Sequence, residues 1–277
     1  MNRQRDKLVA AILGIRPDVA ALMEVENDGF GRSSSLAQLV AALNAQWPEA
    51  GYRLVDAGKG PGVDAIRVAM IYREARVAPL GEAASNAEGA FSERHRAPLA
   101  QAFEMHPGGA RLVVVANHFK SKGCGEADAA DADQRDGQSC WNASRLAAAQ
   151  ALDAWLKSDP TGQGAHGTVI LGDLNSYGRE DPVRALIDAG WRDAFDPTGD
   201  ARPYSFNYRG FSGRLDHALL SPGLHARLRA AVEWHINADE SEAFDFQIRN
   251  RDKSWYAPDP YRSSDHDPLV LVLDMKD

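Results

Sequence analysis

The chain has 277 residues, of which 44% are hydrophobic and 25% are charged, a composition typical of a globular protein with a sizeable core. No stretch approaches the roughly 18 apolar residues of a membrane span, and the first residues lack the apolar region and cleavage site of a signal peptide. The net charge of −8 argues against simple binding to a nucleic-acid backbone. It does not exclude an enzyme on nucleic acid, because bound divalent cations reverse the field of an acidic site.

Helical and strand-like patterns alternate along the chain. Apolar residues at helical spacing predict helices in three segments, which are Leu8 to Leu13 before Gly14 and Pro17, Leu36 to Trp47 behind a serine cap at 33–35, and Trp141 to Leu156. Asp181 and Pro182 predict the start of a fourth helix, which Gly190 ends. Short apolar runs predict strands at 18–24, 52–55, 66–72, 99–105, 112–116, 168–171, 214–220, 228–236 and 269–273. Without a linker or a repeat, the pattern predicts one α/β domain over 1–277.

Polar, titratable residues stand directly at the ends of these apolar runs. They lie in LMEVEN (22–27), NHFKSKG (117–123), LGDLN (171–175) and SSDHDP (263–268), and GRLDHALL (213–220) places Asp216 inside an apolar strand. Each residue alone has an ordinary explanation, such as a turn, a loop cap or a hydrogen-bonded core histidine. Together they supply Asp, Glu, Asn and His, a ligand set suited to Mg²⁺ or Mn²⁺, with Ca²⁺ as a structural or co-activating ion, rather than to structural zinc.

The order and the residues of these five motifs resemble those of the endonuclease/exonuclease/phosphatase family, which has the deoxyribonuclease I-like fold. NHFKSKG, together with WHINADE (234–240) and YRSSDHDP (261–268), is similar to its bacterial extracellular nuclease branch. The resemblance covers nearly the whole chain. It implies an α/β four-layer sandwich of two packed mixed β-sheets flanked by helices. The family opens with a strand upstream of the first helix, and that strand has no counterpart here, so we expect an N-terminally truncated domain.

The resemblance implies roles for the acidic and amide residues. Glu24 and Asp265 match metal ligands. Asp173 matches the aspartate that orients or deprotonates the attacking water, and Asn175 matches the neighbour that holds phosphate and water in place.

It also implies roles for the histidines. His266 matches the histidine at the scissile phosphate, and Asp216 matches the aspartate that fixes its tautomer and orientation. His118 matches a second histidine that faces the phosphate. An imidazole held by a carboxylate can act as acid or base near neutral pH.

Basic and amide residues near the motifs are candidates for substrate binding. Lys120 and Lys122 are two apart and could both face a phosphate backbone, although an ordinary solvated loop explains them equally well. Asn27 and Arg67 complete the predicted substrate-binding set. Candidates of lower weight are Arg94, Arg96 and Arg262.

The two cysteines, Cys124 and Cys140, lie in one polar loop. A local disulfide would contribute roughly 3 kcal/mol for a loop of this size, whereas free thiols are the alternative in a reducing compartment. The resemblance favours the disulfide. The acidic residues between the cysteines do not fit an EF-hand, so a solvated loop is the preferred interpretation.

The resulting hypothesis is a secreted, metal-dependent phosphodiesterase that hydrolyses DNA, with RNA as a second substrate and no membrane or obligate protein partner. Secretion, to an extracellular or periplasmic location, would belong to the parent protein. One alternative is a phosphatase or a phospholipase C-type phosphodiesterase of the same fold, although no aromatic cluster stands out at a loop tip as in lipid-cleaving relatives. Another is a catalytically dead DNA-binding module.

Overall fold

A computed structural model describes residues 2–58, 62–93, 95–195, 203–247 and 252–276. The helices are α1 (Asn2–Ile15), α2 (Ser35–Gln46), α3 (Asn142–Lys157), α4 (Asp181–Asp188) and α5 (Pro222–His225). The strands are β1 (Val19–Glu26), β2 (Tyr52–Leu54), β3 (Ile66–Arg73), β4 (Val77–Ser85), β5 (Arg96–Met105), β6 (Arg111–His118), β7 (Thr168–Asp173), β8 (Arg192–Asp193), β9 (Phe206–Tyr208), β10 (Phe211–Gly213), β11 (Asp216–Leu220), β12 (Leu228–Glu233) and β13 (Leu269–Leu273). Among the described residues, no helix has the length and apolar character needed to cross a membrane.

Six strands form a mixed sheet in the order β4-β5-β6-β7-β11-β8, which separates two cores. Strand β6 shows how alternation builds the layers. Val113 and Val115 face α3 and α4, whereas Leu112, Val114 and Ala116 face the other strand layer. A third core lies between that second layer and helices α1 and α2. The predicted four-layer α/β sandwich with two packed sheets is therefore confirmed.

The second strand layer consists of two separately hydrogen-bonded pieces. One has the order β1-β3-β2 and the other pairs β12 with β13. The first piece packs over the large sheet with β1 against β6 and β7, and the second packs with β13 against β11. This arrangement brings the chain segments that follow or lie within β1, β6, β7 and β11 to a common region.

Several elements were not predicted from the sequence, namely the short β8 and α5, strand β4 and the β9–β10 hairpin. Strand β4 was not predicted, because Pro79 and Gly81 interrupt its alternation and it lies at the edge of its sheet, where proline is tolerated. The β9–β10 hairpin was not predicted either, because its two-residue turn is Arg209-Gly210 rather than the usual Asn-Gly or Asp-Gly. Its tip exposes Tyr208 and Phe211, so the prediction that no loop tip carries an aromatic cluster was wrong.

Candidate active site

Three predicted site residues lie side by side at one edge of the large sheet. Parallel pairing of β6 with β7 places His118 opposite Asp173, and antiparallel pairing of β7 with β11 places Asp216 opposite Asp173. Directly opposed residues project to the same face of a sheet. Strand register therefore brings one imidazole and two carboxylates together from segments that are distant in the chain.

Gly172 permits the close approach of the two strands that carry these residues. A Cβ atom at this position would lie 2.0 Å from the carbonyl oxygen of Asn117, and the glycine has φ of +141°. Any side chain would push β6 away from β7, since the obstruction is backbone. The glycine in LGDLN thus sets the spacing between His118 and Asp173.

Asp216 holds His266 through a short hydrogen bond. The bond joins Oδ2 of Asp216 to Nδ1 of His266 at 2.6 Å, so Nε2 is the nitrogen that remains for a substrate. Burial would lower the pKa of His266, but the charge and the hydrogen bond of Asp216 outweigh burial and raise the pKa to about 10. Burial would raise the pKa of Asp216, yet His266 keeps that pKa below its usual range. The pair is therefore an imidazolium held by a carboxylate.

Asp173 is the most strongly perturbed carboxyl group of the cluster. Burial, followed by the charge of Asp216, raises the pKa of Asp173 to about 7. Asn175 orients it, since the backbone N–H of Asn175 donates to Oδ1 at 2.7 Å and the side-chain amide donates to Oδ2 at 3.0 Å. Asn175 has φ of +48°, a conformation that asparagine tolerates better than most residues. A carboxyl group with a pKa near neutrality is suited to proton transfer.

His118 lies between Asp173 and Glu24. Its Nε2 is 3.6 Å from Oδ2 of Asp173 and 4.0 Å from Oε1 of Glu24. Burial, together with the charge of Arg96, lowers the pKa of His118 to about 3, so its imidazole is neutral at physiological pH. Its Nδ1 is buried without a hydrogen-bond partner among the described residues.

Glu24 and Asp265 lie next to members of the cluster, Glu24 at 4.0 Å from Nε2 of His118 and Asp265 directly before His266 in the chain. Glu24 has φ of +57° at a bulge between Leu22 and Val25, and its side chain is 69% exposed. A bulge is a common device for turning a side chain toward a site. Glu24 and Asp265 both line a cavity of about 1020 Å³. Both predicted metal ligands therefore face the same space.

The donor set fits a divalent cation. Asp173, Asp216 and His266 each place one potential ligand atom within 4.8 Å of the others. Because His266 is bonded through Nδ1 to Asp216 and is protonated, the carboxylates are the better ligands. The charge of Glu24 also raises the pKa of Asp173, so mutual repulsion among these acids is present and a cation would relieve it.

Three of the predicted substrate-binding residues are engaged elsewhere. Arg67 is 1% exposed, lies over the ring of Phe30 at 4.0 Å and donates to the carbonyl of Gly29, so the prediction that it contacts substrate was wrong. The side-chain amide of Asn27 donates to two carbonyls of the 62–64 segment. Lys122 forms an ion pair with Glu180 at 2.6 Å, which neutralises its charge. These residues support loops around the site.

The remaining basic candidates lie in different surroundings. Nζ of Lys120 is 5.2 Å from the ring centroid of Trp141 and half-buried beside the site. Arg96 pairs with Asp64 at 3.1 Å and stands opposite His118 in the sheet. Arg262 is buried and donates to the carbonyl of Asn237. Arg94 lies outside the described residues.

Asn237 positions the loop that carries Asp265 and His266. Its side-chain oxygen accepts from the backbone N–H of Ser263 at 2.9 Å, and its amide donates to the carbonyl of His266 at 2.6 Å. Asp267 reinforces the same segment, since one of its carboxylate oxygens accepts three consecutive backbone N–H groups at 236–238. The motif WHINADE contains Asn237, but the sequence did not indicate its role, because its partner His266 lies 29 positions away.

The disulfide predicted from the resemblance is present between Cys124 and Cys140. Next to it, the buried Arg145 donates to the carbonyls of Lys120, Gln138 and Cys140 and to the hydroxyl of Ser176. Arg145 therefore ties the disulfide loop to the segments that follow β6 and β7. Sequence reading missed it because it lies on the apolar face of α3.

Comparison with known proteins supports the fold and shows the family. No curated protein sequence matched the chain. Three similar solved structures are a Bacteroides thetaiotaomicron mannosyl-6-phosphatase (14% identity, TM-score 0.62, 98% of this chain and 91% of that chain), the human Nocturnin catalytic domain with bound sulfate (16%, 0.61, 98% and 87%) and Danio rerio TDP2 complexed with a single-strand DNA product (14%, 0.56, 98% and 92%). At these identities the likeness concerns the fold. Residues 1–266 match the endonuclease/exonuclease/phosphatase family, whose members are hydrolases and mostly metal-dependent phosphodiesterases or phosphatases, and the chain belongs to that family.

Proposed function

We propose that this protein is a metal-dependent phosphodiesterase that hydrolyses nucleic acid, of the bacterial extracellular nuclease branch. The observation that carries the proposal is the arrangement of Asp173, Asp216 and His266, which combines a carboxyl group near its pKa with a carboxylate-held imidazolium. Such a pair offers one proton acceptor and one proton donor at a single site. Hydrolysis of a phosphodiester needs both.

The chemistry follows from these two groups. Asp173 accepts a proton from water as the water oxygen attacks phosphorus. The bond from phosphorus to the leaving oxygen breaks, and His266 donates a proton to that oxygen, which yields a phosphomonoester and an alcohol. Neutral His118 donates from Nε2 to a phosphate oxygen, and Asn175 keeps the carboxyl group of Asp173 oriented toward the water. A divalent ion held by Glu24 and Asp265 would neutralise charge on the phosphate and the leaving oxygen.

The substrate class is supported by the motifs and by the relatives. NHFKSKG, WHINADE and YRSSDHDP are similar to the nuclease branch. A related fold is that of TDP2 in complex with a single-strand DNA product. We propose DNA as the main substrate, with RNA also accepted.

The disulfide supports the proposal of an extracellular or periplasmic location. Disulfides persist in oxidising compartments and are rare in reducing ones. The Cys124–Cys140 bond closes the loop that Arg145 holds beside the site, so its loss would loosen that loop.

Nucleic-acid digestion tests the proposal. Plasmid DNA, single-stranded DNA and RNA are incubated with Mg²⁺, Mn²⁺ or Ca²⁺, with and without EDTA. We expect EDTA-sensitive cleavage, and Asp173→Asn or His266→Gln should each lower kcat about 10²–10⁴-fold. The control is Asp274→Asn, which changes a carboxylate beyond the opposite end of β13 from His266.

Other outcomes would point elsewhere. Release of phosphate from sugar monophosphates without DNA cleavage would indicate a phosphatase, and cleavage of sphingomyelin vesicles alone would indicate a phospholipase C-type enzyme. Binding of DNA without cleavage under every ion would indicate a binding module. Each of these results contradicts the proposal.

A further inference from the structure

The β9–β10 hairpin presents a face made of aromatic rings. Phe206, Tyr208 and Phe211 lie on this face, since positions 206 and 208 alternate along β9 and Tyr208 pairs with Phe211. Tyr208 is 54% exposed and Phe211 is 78% exposed. The opposite face is polar, with Asn207 and Ser212 hydrogen-bonded to each other. We call the three rings the aromatic face.

The hairpin turn places a positively charged residue, Arg209, at a position whose backbone conformation disfavours arginine. Arg209 and Gly210 have φ of +53° and +85°, which is a type I′ turn. Asparagine or glycine suits the first of these positions, whereas arginine there is strained. The guanidinium of Arg209 lies 5.2 Å from the ring centroid of Tyr208. A strained residue at an exposed tip is a sign of a functional requirement.

The aromatic face begins at the candidate active site. The ring of Phe206 is 4.6 Å from that of His266 and 6.5 Å from that of Tyr208, in a nearly parallel orientation to the latter. At the base of the hairpin, a Cβ atom on Gly213 would lie 2.4 Å from the ring of Tyr177, so that ring packs closely against the hairpin. Three rings therefore lead outward from the imidazolium to the tip.

The hairpin is held firmly to the rest of the site. The backbone N–H of Ser205 donates to Gly213, and the hydroxyl of Ser205 accepts from the N–H groups of Leu215 and Asp216 at 3.1 Å each. The N–H of Asp267 donates to the carbonyl of Ser205. These bonds join the hairpin to both halves of the Asp216–His266 pair. The aromatic face is thus held at a fixed distance from the Asp216–His266 pair.

We propose that the aromatic face stacks unpaired bases of the nucleic-acid strand whose phosphate lies at His266. This inference rests on the proposed function and adds a preference for single-stranded or locally opened substrate. Rings without an accompanying donor pattern bind any base through its π-face, and a nearby arginine adds attraction for the phosphate. Insertion into a bilayer is disfavoured, because the tip would place the charged Arg209 in hydrocarbon.

The test compares cleavage of a strand that carries bases with cleavage of a strand that has only the sugar-phosphate backbone. A thymidine 12-mer and a 12-mer of abasic tetrahydrofuran units are cleaved under the divalent ion that best supports activity. We expect the wild-type protein to have a kcat/KM about 5- to 100-fold higher for the thymidine strand for each stacked base. Tyr208→Ala with Phe211→Ala should lower this ratio, leaving only the contribution of Phe206.

Two further double variants separate stacking from other causes. Tyr208→Leu with Phe211→Leu keeps apolar volume at the tip but removes the ring faces, so the ratio should also fall. Val232→Ala with Val272→Ala removes exposed apolar side chains from β12 and β13 and should retain the wild-type ratio. Circular dichroism checks that each variant is folded.

The results that overturn the inference are distinct from those that overturn the proposed function. Equal cleavage of both strands by the wild-type protein, or an unchanged ratio in the alanine or leucine variant, refutes stacking alone. If a variant cleaves both strands more slowly by the same factor, its ratio is unchanged and stacking is likewise refuted. Binding of the wild-type protein, but not of the alanine variant, to phosphatidylcholine vesicles, together with an unchanged ratio of kcat/KM for the two strands, would show that the aromatic face binds a bilayer. Cleavage of neither 12-mer by a wild-type protein that digests plasmid DNA refutes the preference for single strands, whereas no cleavage of plasmid DNA, single-stranded DNA or RNA refutes the nuclease function itself.

Discussion

Asp173 and Asp216 stand directly opposite each other on neighbouring antiparallel strands, and their carboxyl groups differ in their protonation. Burial and the charge of Asp216 raise the pKa of Asp173 to about 7, whereas His266 keeps the pKa of Asp216 below its usual range. Two titratable groups whose environments separate their pKa values are typical of acid–base sites. The separation depends on the register of β7 with β11.

Replacement of Asp216 should change the titration of His266. In metal-free Asp216→Asn, the pKa of His266 should fall from about 10, because the charge that raises it is removed while burial, which lowers it, remains. The imidazole would then lose its proton at a lower pH and be a poorer proton donor at neutral pH. An NMR pH titration of the imidazole measures the pKa. A pKa that stays near 10 would contradict the assignment of Asp216 as its main cause.

Asn237→Ala should lower both stability and kcat. The buried N–H of Ser263 would lose its acceptor, at a cost of about 1–3 kcal/mol, and the loop bearing His266 would be less well positioned. We expect the loss in kcat to exceed any change in KM. Asn44→Ala is the matched control, since Asn44 makes two similar bonds to the backbone of Tyr52. It should destabilise the fold and leave kcat unchanged, whereas equal loss of kcat in both variants would show a general effect of stability.

Glu233 should make stability depend on pH. It is 7% exposed, and neither carboxyl oxygen has a hydrogen-bond partner among the described residues. Burial raises its pKa from 4.5 to about 7, so between these values the unfolded chain is ionised while the folded protein keeps the proton. Stability therefore falls as pH rises through this window, by on the order of 3 kcal/mol.

Glu233→Gln tests this expectation, because glutamine stays neutral. The variant should lose less stability than the wild-type protein between pH 4.5 and pH 8 in urea denaturation. If the two proteins have parallel pH profiles, Glu233 does not titrate in this way.

Arg209→Asn should stabilise the protein and impair cleavage of single strands. Asparagine accepts the left-handed conformation, so stability should rise by up to about 1 kcal/mol. Removal of the positive charge should lower kcat/KM for a thymidine strand. Gly210→Ala in the same turn is the opposite case, because alanine at φ of +85° is strained and should reduce stability. Denaturant midpoints measure the stability of both variants. A destabilised Arg209→Asn would show that arginine is not strained at this position.

Local patterns predicted much of the architecture. The short apolar run at 112–116 predicted strand β6, and the serine cap at 33–35 located the start of α2, where Ser34 accepts from the backbone N–H of Ala37. Polar residues at strand ends indicated the candidate site, because such ends gather at one edge of a sheet. Strand β13 was predicted with its observed bounds. These features depend on neighbours within a few positions.

Longer-range features could not be predicted in the same way. The charges of Arg67 and Lys122 were expected to face substrate, but Arg67 packs over the ring of Phe30 and Lys122 pairs with Glu180, which lies 58 positions away. The turn of the β9–β10 hairpin contains an arginine that local rules disfavour. For Arg67 and Lys122, a partner outside the local pattern decided where the charged group lies.

By itself, the sequence determined the alternation of strands and helices, the faces that are buried and the types of residue at the strand ends, because each follows from the spacing of side chains along a local backbone. The tertiary structure decided which of those residues meet. His266 reaches Asp216 across 50 positions, and His118 lies opposite Asp173 only because β6 and β7 are adjacent and parallel in one register. Strand order and register arise from packing over the whole chain, so they fix the chemistry of the site without leaving a local signal.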